Sequence, residues 1–323
     1  MAIKVATPDH ATSIYKLIKQ SRHLYLDFPD ETLAKQLAKQ SAVIGEEEGV
    51  IWGFLYIEHE IRPETMPSAA PNRLYLRCMV LANKRSPIVD IPSLLSAALS
   101  LPTLSKSDNG YPNQLIFFGR ESWPINPLVA AGWEITERVD NYALNRLMRR
   151  WRSFESEYSE LVAESPINLR AATPQDFDAI AEIDALAFDP HWHFGSEQIA
   201  SLLPSHRVWV AVQNNERSGD VPTFLSPQSI VGYTALSNAM QDLSGWRIGR
   251  KMHLARIATH PKMQGQGIGK YLLLDVLAYA KKQNIDSMML NTQSHNERSQ
   301  ALYKRYGFRR VGKAFTVLTM NVI

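Results

Sequence analysis

Apolar and polar positions along the chain switch repeatedly between a two-residue and a three-to-four-residue period, the marks of strands and amphipathic helices. The switches come in the same order twice. The chain opens IKVATPDHATSIYKLIKQ, and from residue 167 it reads INLRAATPQDFDAIAEIDALAF. Each opening is a short β-type run, then Thr-Pro (Thr7-Pro8, Thr173-Pro174), then a helix pattern. Thr accepts from the free N–H groups of a helix start and Pro suits its first turn, so both pairs mark helix N-termini. Further on, EEEGVIWGFLYIEHE and PQSIVGYTALS are strand patterns around a central glycine, Gly53 and Gly232. NRLYLRCMVLANK and RKMHLARIATHPK are β-rich runs ending in a polar turn, and SLLSAAL and YLLLDVL are apolar helix patterns. LVAAGWEITERVDNYAL parallels LYKRYGFRRVGKAFTVL as helix, Gly, aromatic and two strands.

This ordered correspondence reads as a duplication. Each copy is expected to run strand, two helices, three strands, helix, strand, helix and a closing pair of strands. That is an α/β fold with a mixed sheet whose ends are antiparallel. The charged stretch 147–166 ends in Ser165-Pro166 and reads as a connection. The expected organisation is therefore residues 1–149, a linker at 150–166, and residues 167–323.

Composition narrows the function classes. A length of 323 residues suits two domains and a sizeable core. With Cys78 the sole cysteine, neither an internal disulfide nor a four-cysteine zinc site can form. A net charge of +3, dispersed along the chain, gives no ground for nucleic acid as a partner. The opening has no secretory h-region, and no apolar run approaches the roughly 18–20 residues of a membrane span. A soluble cytoplasmic protein without a membrane partner is expected.

The chemistry concentrates in the second copy. The strand pattern HLARIATH leads into Pro261-Lys-Met-Gln-Gly-Gln-Gly-Ile-Gly269 and then a helix start. Gly265, Gly267 and Gly269 free the backbone, and the helix N-terminus aims its N–H groups at the loop, which suits phosphate. A mononucleotide loop needs Ser or Thr after Gly-Lys, where Tyr271 stands. A dinucleotide fingerprint needs glycine where Lys270 stands, and the βαβαβ alternation is absent.

The run Gln264-Gly-Gln-Gly267-Ile-Gly269 instead resembles the Gln/Arg-x-x-Gly-x-Gly/Ala pattern of the GNAT N-acetyltransferase superfamily. The preceding LARIATHP resembles the family's strand-to-loop entry. Asn296 followed by Ala301, Tyr303 and Gly307-Phe308 resembles its second motif, with Ala301 closer to Tyr303 than the pattern has it. The resemblance covers the second copy well and the first in outline. It implies two tandem GNAT-like domains and a sheet whose two central parallel strands splay apart. Acetyl-CoA is the implied co-substrate, its pantetheine arm pairing with the backbone of Ile257, Ala258 and Thr259. The loop residues Gln264, Gly265, Gln266, Gly267, Ile268, Gly269 and Lys270 would hold the pyrophosphate, and Asn296 would contact the arm. Tyr303 would protonate the leaving thiolate as a neutral amine attacks the thioester. No metal is implied.

Other residues are left open. His253 is a candidate general base, which the sequence does not identify. His191-Trp192-His193-Phe194 either lines an acceptor pocket or packs as an ordinary loop. Arg256 and Arg298 carry charge for phosphates, with a surface position as the preferred reading. Aligning Leu94 with Leu272 sets Ser86-Pro87-Ile88-Val89-Asp90-Ile91 against the glycine loop. Pro87 lacks an N–H and Asp90 repels phosphate, so the first copy is expected to have lost its site and the chain to bind one acetyl-CoA. The acceptor is an unspecified small-molecule or peptide amine, and the protein a monomer or homodimer. The alternative is an acyl-CoA-binding regulatory protein without turnover.

Overall fold

The computed structural model describes residues 2–105, 110–214, 228–238, 240–242 and 249–322. In chain order the first half carries β1 (Ala2–Val5), α1 (Ala11–Gln20), β2 (His23–Leu26), α2 (Leu33–Leu37), β3 (Ala42–Glu47), β4 (Val50–His59), β5 (Asn72–Leu81), α3 (Pro87–Leu99), α4 (Pro102–Ser105), β6 (Asn113–Gly119), α5 (Ile125–Ala130) and β7 (Glu134–Asn145). Helices α6 (Leu147–Trp151) and α7 (Glu155–Glu164) follow. The second half carries β8 (Ile167–Ala171), α8 (Phe177–Ala187), α9 (Ser196–Leu202), β9 (His206–Asn214), β10 (Gln228–Ser237), β11 (Met240–Asp242), β12 (Gly249–Thr259), α10 (Ile268–Lys282), β13 (Ser287–Gln293), α11 (Glu297–Arg305), β14 (Arg309–Arg310) and β15 (Phe315–Val322).

The repeat is real at the level of local geometry. Thr7 and Thr173 both precede a short 3₁₀ turn, and each backbone N–H donates to the side chain three residues on: His10 Nδ1 at 3.0 Å, Asp176 Oδ2 at 2.7 Å. The two halves differ between their first two helices, where only the first has a strand, β2.

Two compact units form, and they do not follow the linear division expected at 150–166. One comprises residues 1–62, 68–139 and 315–323, the other 63–67 and 140–314. In the first unit the strand order is β1-β3-β4-β5-β6-β15-β7. The C-terminal strand β15 is thus antiparallel to β6, with Thr316 opposite Gly119 and Val322 opposite Asn113. In the second unit the order is β13-β12-β10-β9-β8, with residues 140–145 of β7 beside β13 and β14 paired to Tyr142 and Ala143. The expected self-contained closing pair of strands is therefore corrected. In each unit one closing strand comes from the other half of the chain. Ladder hydrogen bonds are made by backbone alone, so any strand with the right inward pattern can take that place. Tyr142 and Leu144 of β7 and Val317 and Leu318 of β15 are buried there.

Each sheet is covered on both faces. In the second unit, Leu254, Leu273, Leu290, Tyr303 and Phe308 share one core cluster, on the side of α10 and α11. Ile180, Ile183, Ile199, Val210, Tyr233 and Ala258 share another, on the side of α8 and α9. Among the described residues, no helix is long and apolar enough to cross a membrane.

Candidate active site

The site begins as a divergence of two parallel strands. β12 pairs with β13 from Lys251–Ser287 to Leu254–Leu290, and the parallel ladder stops there. On its other edge β12 continues against β10, Ala258 opposite Tyr233 and Thr259 opposite Gly232. That register jumps from Ala235–Arg256 to Leu236–Leu254, so Ala255 is a bulge residue one place past the last parallel pair. A bulge bends its strand and increases its twist, which is the local cause of the splay. Ile257, Ala258 and Thr259 thus lie beyond the parallel ladder, paired with β10 and not with β13. Of these, Thr259 C=O accepts from the Gln264 side-chain amide at 3.3 Å.

The loop after β12 is glycine-rich and leads directly into a helix N-terminus. Gly265 and Gly267 have φ of +88° and +84°, a region that penalises any Cβ. Gly267 is the N-cap of α10, so the first N–H groups of that helix face the loop. Gly269 is helical, and a Cβ there would lie 3.6 Å from Thr259 Oγ1 and 4.0 Å from Leu302. Strand end, loop and α11 therefore converge within van der Waals reach. Ile268 is buried and pins the helix start under β10. Gln266 stays near the loop, its amide 3.8 Å from Met263 sulfur. Lys270 Nζ is turned to Glu157 of α7 at 3.2 Å, leaving its backbone N–H as the group that faces the loop.

Tyr303 lies on α11, 4% exposed, between the rings of Tyr142 and Phe308. Burial pushes its hydroxyl up to about 12, against a smaller opposite pull from a hydrogen bond with Ser299. A phenol that holds its proton at neutral pH is a donor. Asn296 is the N-cap of α11, its Oδ1 accepting from Ser299 N–H at 3.1 Å. Its side chain thus caps the helix.

The opposite face carries a network that the sequence did not reveal. Asp184 of α8 is 0% exposed. It accepts from Tyr233 O–H and Phe194 N–H, and it stands 3.7 Å from the Arg256 guanidinium. Arg256 donates to Trp192 C=O and lies over the rings of Phe188 and Phe194. The surface position expected for Arg256 is corrected: it is 8% exposed because the bulge and strand alternation turn it toward α8. The segment His191–Phe194 is thereby anchored to the splayed strand, and His193 is wholly buried. Just beyond it, Glu64, from the connection between β4 and β5, accepts from Ser196 N–H at 2.7 Å. No motif signals that contact. His253, the candidate base, donates its backbone N–H to Ser237 Oγ at 2.8 Å.

The first unit keeps the bulge and divergence but fills the opening. β5 pairs in parallel with β6 only from Asn72–Asn113 to Tyr75–Ile116, and Arg77 is its bulge residue. Beyond that point Cys78–Leu81 pair with β4 on one edge and with β2 on the other. Trp123 Nε1 donates to Leu24 C=O at 3.0 Å, and Tyr25 packs edge-on against Phe117 at 4.6 Å. At the start of α3 the Asp90 carboxylate accepts from Ser86 N–H at 2.9 Å, so a native anion already sits where the second unit has its glycine loop.

Residues 177–308 match the family described as "Acetyltransferase (GNAT) family". N-alpha-acetyltransferase RimI of Mycobacterium tuberculosis is 30% identical over 156 residues, 46% of this chain and 81% of that protein. A mycothiol acetyltransferase of Renibacterium salmoninarum is 26% identical over 56% of this chain, and the match spans about half of that relative, 52%. Among solved structures, a GCN5-related N-acetyltransferase from Sphaerobacter thermophilus superposes with a TM-score of 0.58 at 14% identity, covering 99% of this chain and 95% of that one. A tandem GNAT protein from the clavulanic acid biosynthesis pathway does so with a TM-score of 0.56 at 12% identity, covering 99% and 98%. At such identities the structures establish the fold; the RimI match and the family match within the second half carry the membership. The chain is an acyltransferase of the GNAT acetyltransferase family.

Proposed function

We propose that this protein transfers the acetyl group of acetyl-CoA to the nitrogen of an amine acceptor, at one site in the second unit. The observation that carries the reading is the conjunction at the end of β12: a parallel ladder that stops at Leu254–Leu290, followed by a loop with Gly265 and Gly267 at positive φ on a helix N-terminus. Ile257, Ala258 and Thr259 offer backbone groups to the pantetheine arm. The N–H groups from Gln264 to Lys270 receive the pyrophosphate, with Asn296 beside the arm. A Cβ at Gly265 or Gly267 would be strained, so the cradle fits a phosphate approached by bare backbone.

In the transfer the amine nitrogen bonds to the acyl carbon, the carbon–sulfur bond breaks, and sulfur leaves as thiolate. Tyr303 O–H donates the proton that the thiolate takes up, and the proton that the nitrogen sheds on becoming an amide passes to solvent, from which the phenol is reprotonated. The splay holds the two reactants together, which supplies much of the rate in a reaction without a covalent enzyme intermediate. Arg256, Asp184 and the segment from His191 to Phe194 form a fixed wall on the face opposite Tyr303, where the acceptor would enter. In this reading the first unit is a degenerate copy, closed by β2 and Asp90.

The test is calorimetric titration of acetyl-CoA, followed by a thiol-release screen against polyamines, amino acids, aminoglycosides and peptides with free N-termini. One binding site with acetyl-CoA-dependent thiol release supports the reading. Absence of binding refutes it.

A further inference from the structure

We propose that Arg298 is the cation that binds a phosphate of the coenzyme at the glycine loop, a role that rests on the acetyl-CoA reading above. Coenzyme A brings several negative charges to this loop, and backbone N–H groups alone supply only partial charge. A neighbouring cation that is not already neutralised strengthens such binding. Lys270 does not provide it, because its ammonium is paired with Glu157 at 3.2 Å. Arg256 does not provide it, because it is buried on the other face with Asp184.

Arg298 stands differently. It is the second residue after the Asn296 cap, exposed at the start of α11, and it reaches across to the loop. Its Nη1 donates to Gln264 Oε1 at 2.6 Å, and its Nη2 lies 4.0 Å from where a Cβ of Gly265 would stand. The hydrogen bond recorded for it is with a neutral amide, and no carboxylate pairs with it among the described residues. The guanidinium is thus parked over the loop with its charge uncompensated. The Gln264 amide that accepts from it donates in turn to Thr259 C=O, so cation, loop and strand end are one connected unit. A planar fork of donors at this place matches phosphate oxygens. The surface position expected for Arg298 holds, but its side chain is committed to the loop.

The experiment is calorimetry on the full chain with acetyl-CoA and 3′-dephospho-acetyl-CoA, using wild type, Arg298→Gln and Arg298→Lys. Arg298→Gln is expected to weaken acetyl-CoA roughly ten- to a hundredfold, as for one lost charge-assisted hydrogen bond. Arg298→Lys should recover part of that loss, and the salt dependence of binding should be shallower in Arg298→Gln. If the 3′-phosphate is the group bound, wild type prefers acetyl-CoA to the dephospho form and Arg298→Gln does not. If the pyrophosphate is bound, both ligands weaken by the same factor. Binding of both ligands to Arg298→Gln as tightly as to wild type overturns the proposal. Failure of wild type itself to bind overturns the acetyl-CoA reading instead.

Discussion

Replacing Gly267 by Ala separates what the loop does for the fold from what it does for the ligand. Gly267 has φ of +84°, and a Cβ there would meet only Lys270 Cε, at 3.9 Å. That is ordinary contact, so the protein has room for the methyl group. The stability cost is then the left-handed backbone alone, roughly 1–2 kcal/mol. For a unit of the size that holds Gly267, that lowers the melting temperature by about 2–8 °C. Gly312 supplies the control, with φ of +63° and nothing within 4 Å. Gly312→Ala should cost the same in stability, because the cause is the same. The two variants should part company in binding. The methyl group at position 267 stands before the first N–H groups of α10, where phosphate oxygens must approach. Loss of one such bond to a charged oxygen weakens acetyl-CoA roughly ten- to a hundredfold. Gly312→Ala should stay within about twofold of wild type, as distant surface changes do. Urea denaturation and calorimetry on the same preparations read both quantities. Equal loss of stability with unchanged affinity in Gly267→Ala would refute the cradle.

Tyr303→Phe should lower kcat roughly 10²–10⁴-fold in the thiol-release assay while leaving acetyl-CoA affinity unchanged; a weakened affinity instead would make Tyr303 a packing residue. Because burial pushes this phenol from 10.0 up to about 12, the folded state binds its proton more tightly than the unfolded chain. The stability it contributes is complete below pH 10 and lost as pH rises toward 12, about 2–3 kcal/mol in all, and urea denaturation at pH 9 and 11 should show a smaller loss in Tyr303→Phe. Asp184→Asn leaves Arg256 buried without its carboxylate and should destabilise by roughly 3–5 kcal/mol, with Asp184→Asn/Arg256→Met recovering part of it; additive losses in the double variant would mean that the two do not act together. Calorimetry should find one acetyl-CoA per chain, since β2 occupies the free edge of Cys78–Leu81; two equivalent sites would show that β2 yields to ligand.

The strands, helices and glycine loop were legible in the sequence because their causes are local. Gly265 and Gly267 do adopt the backbone that only glycine takes readily, and Ile268 to Ala280 do pack along one helix at the spacing read from the chain. The Thr-Pro starts recur with the same hydrogen bond in both halves. The first copy's lack of a glycine loop was readable too, since Ser86-Pro87-Ile88-Val89-Asp90-Ile91 contains no glycine. The exchange of β7 and β15, by contrast, has no local signature. Backbone ladders accept any strand, and both candidates carry buried apolar residues, so only the assembled chain decides which pairs with which. The insertion of β2 beside β5 has the same origin: four residues with a strand pattern find an edge left open by a bulge far along the chain. Side-chain charge was equally undecidable from one dimension. Arg256 and Arg298 look alike in the sequence, yet one strand's bulge buries the first against Asp184, and the start of α11 lays the second over the loop. Periodicity and backbone need are carried by neighbouring residues; strand partners, buried ion pairs and the reach of a long cation are set by residues that only folding brings together.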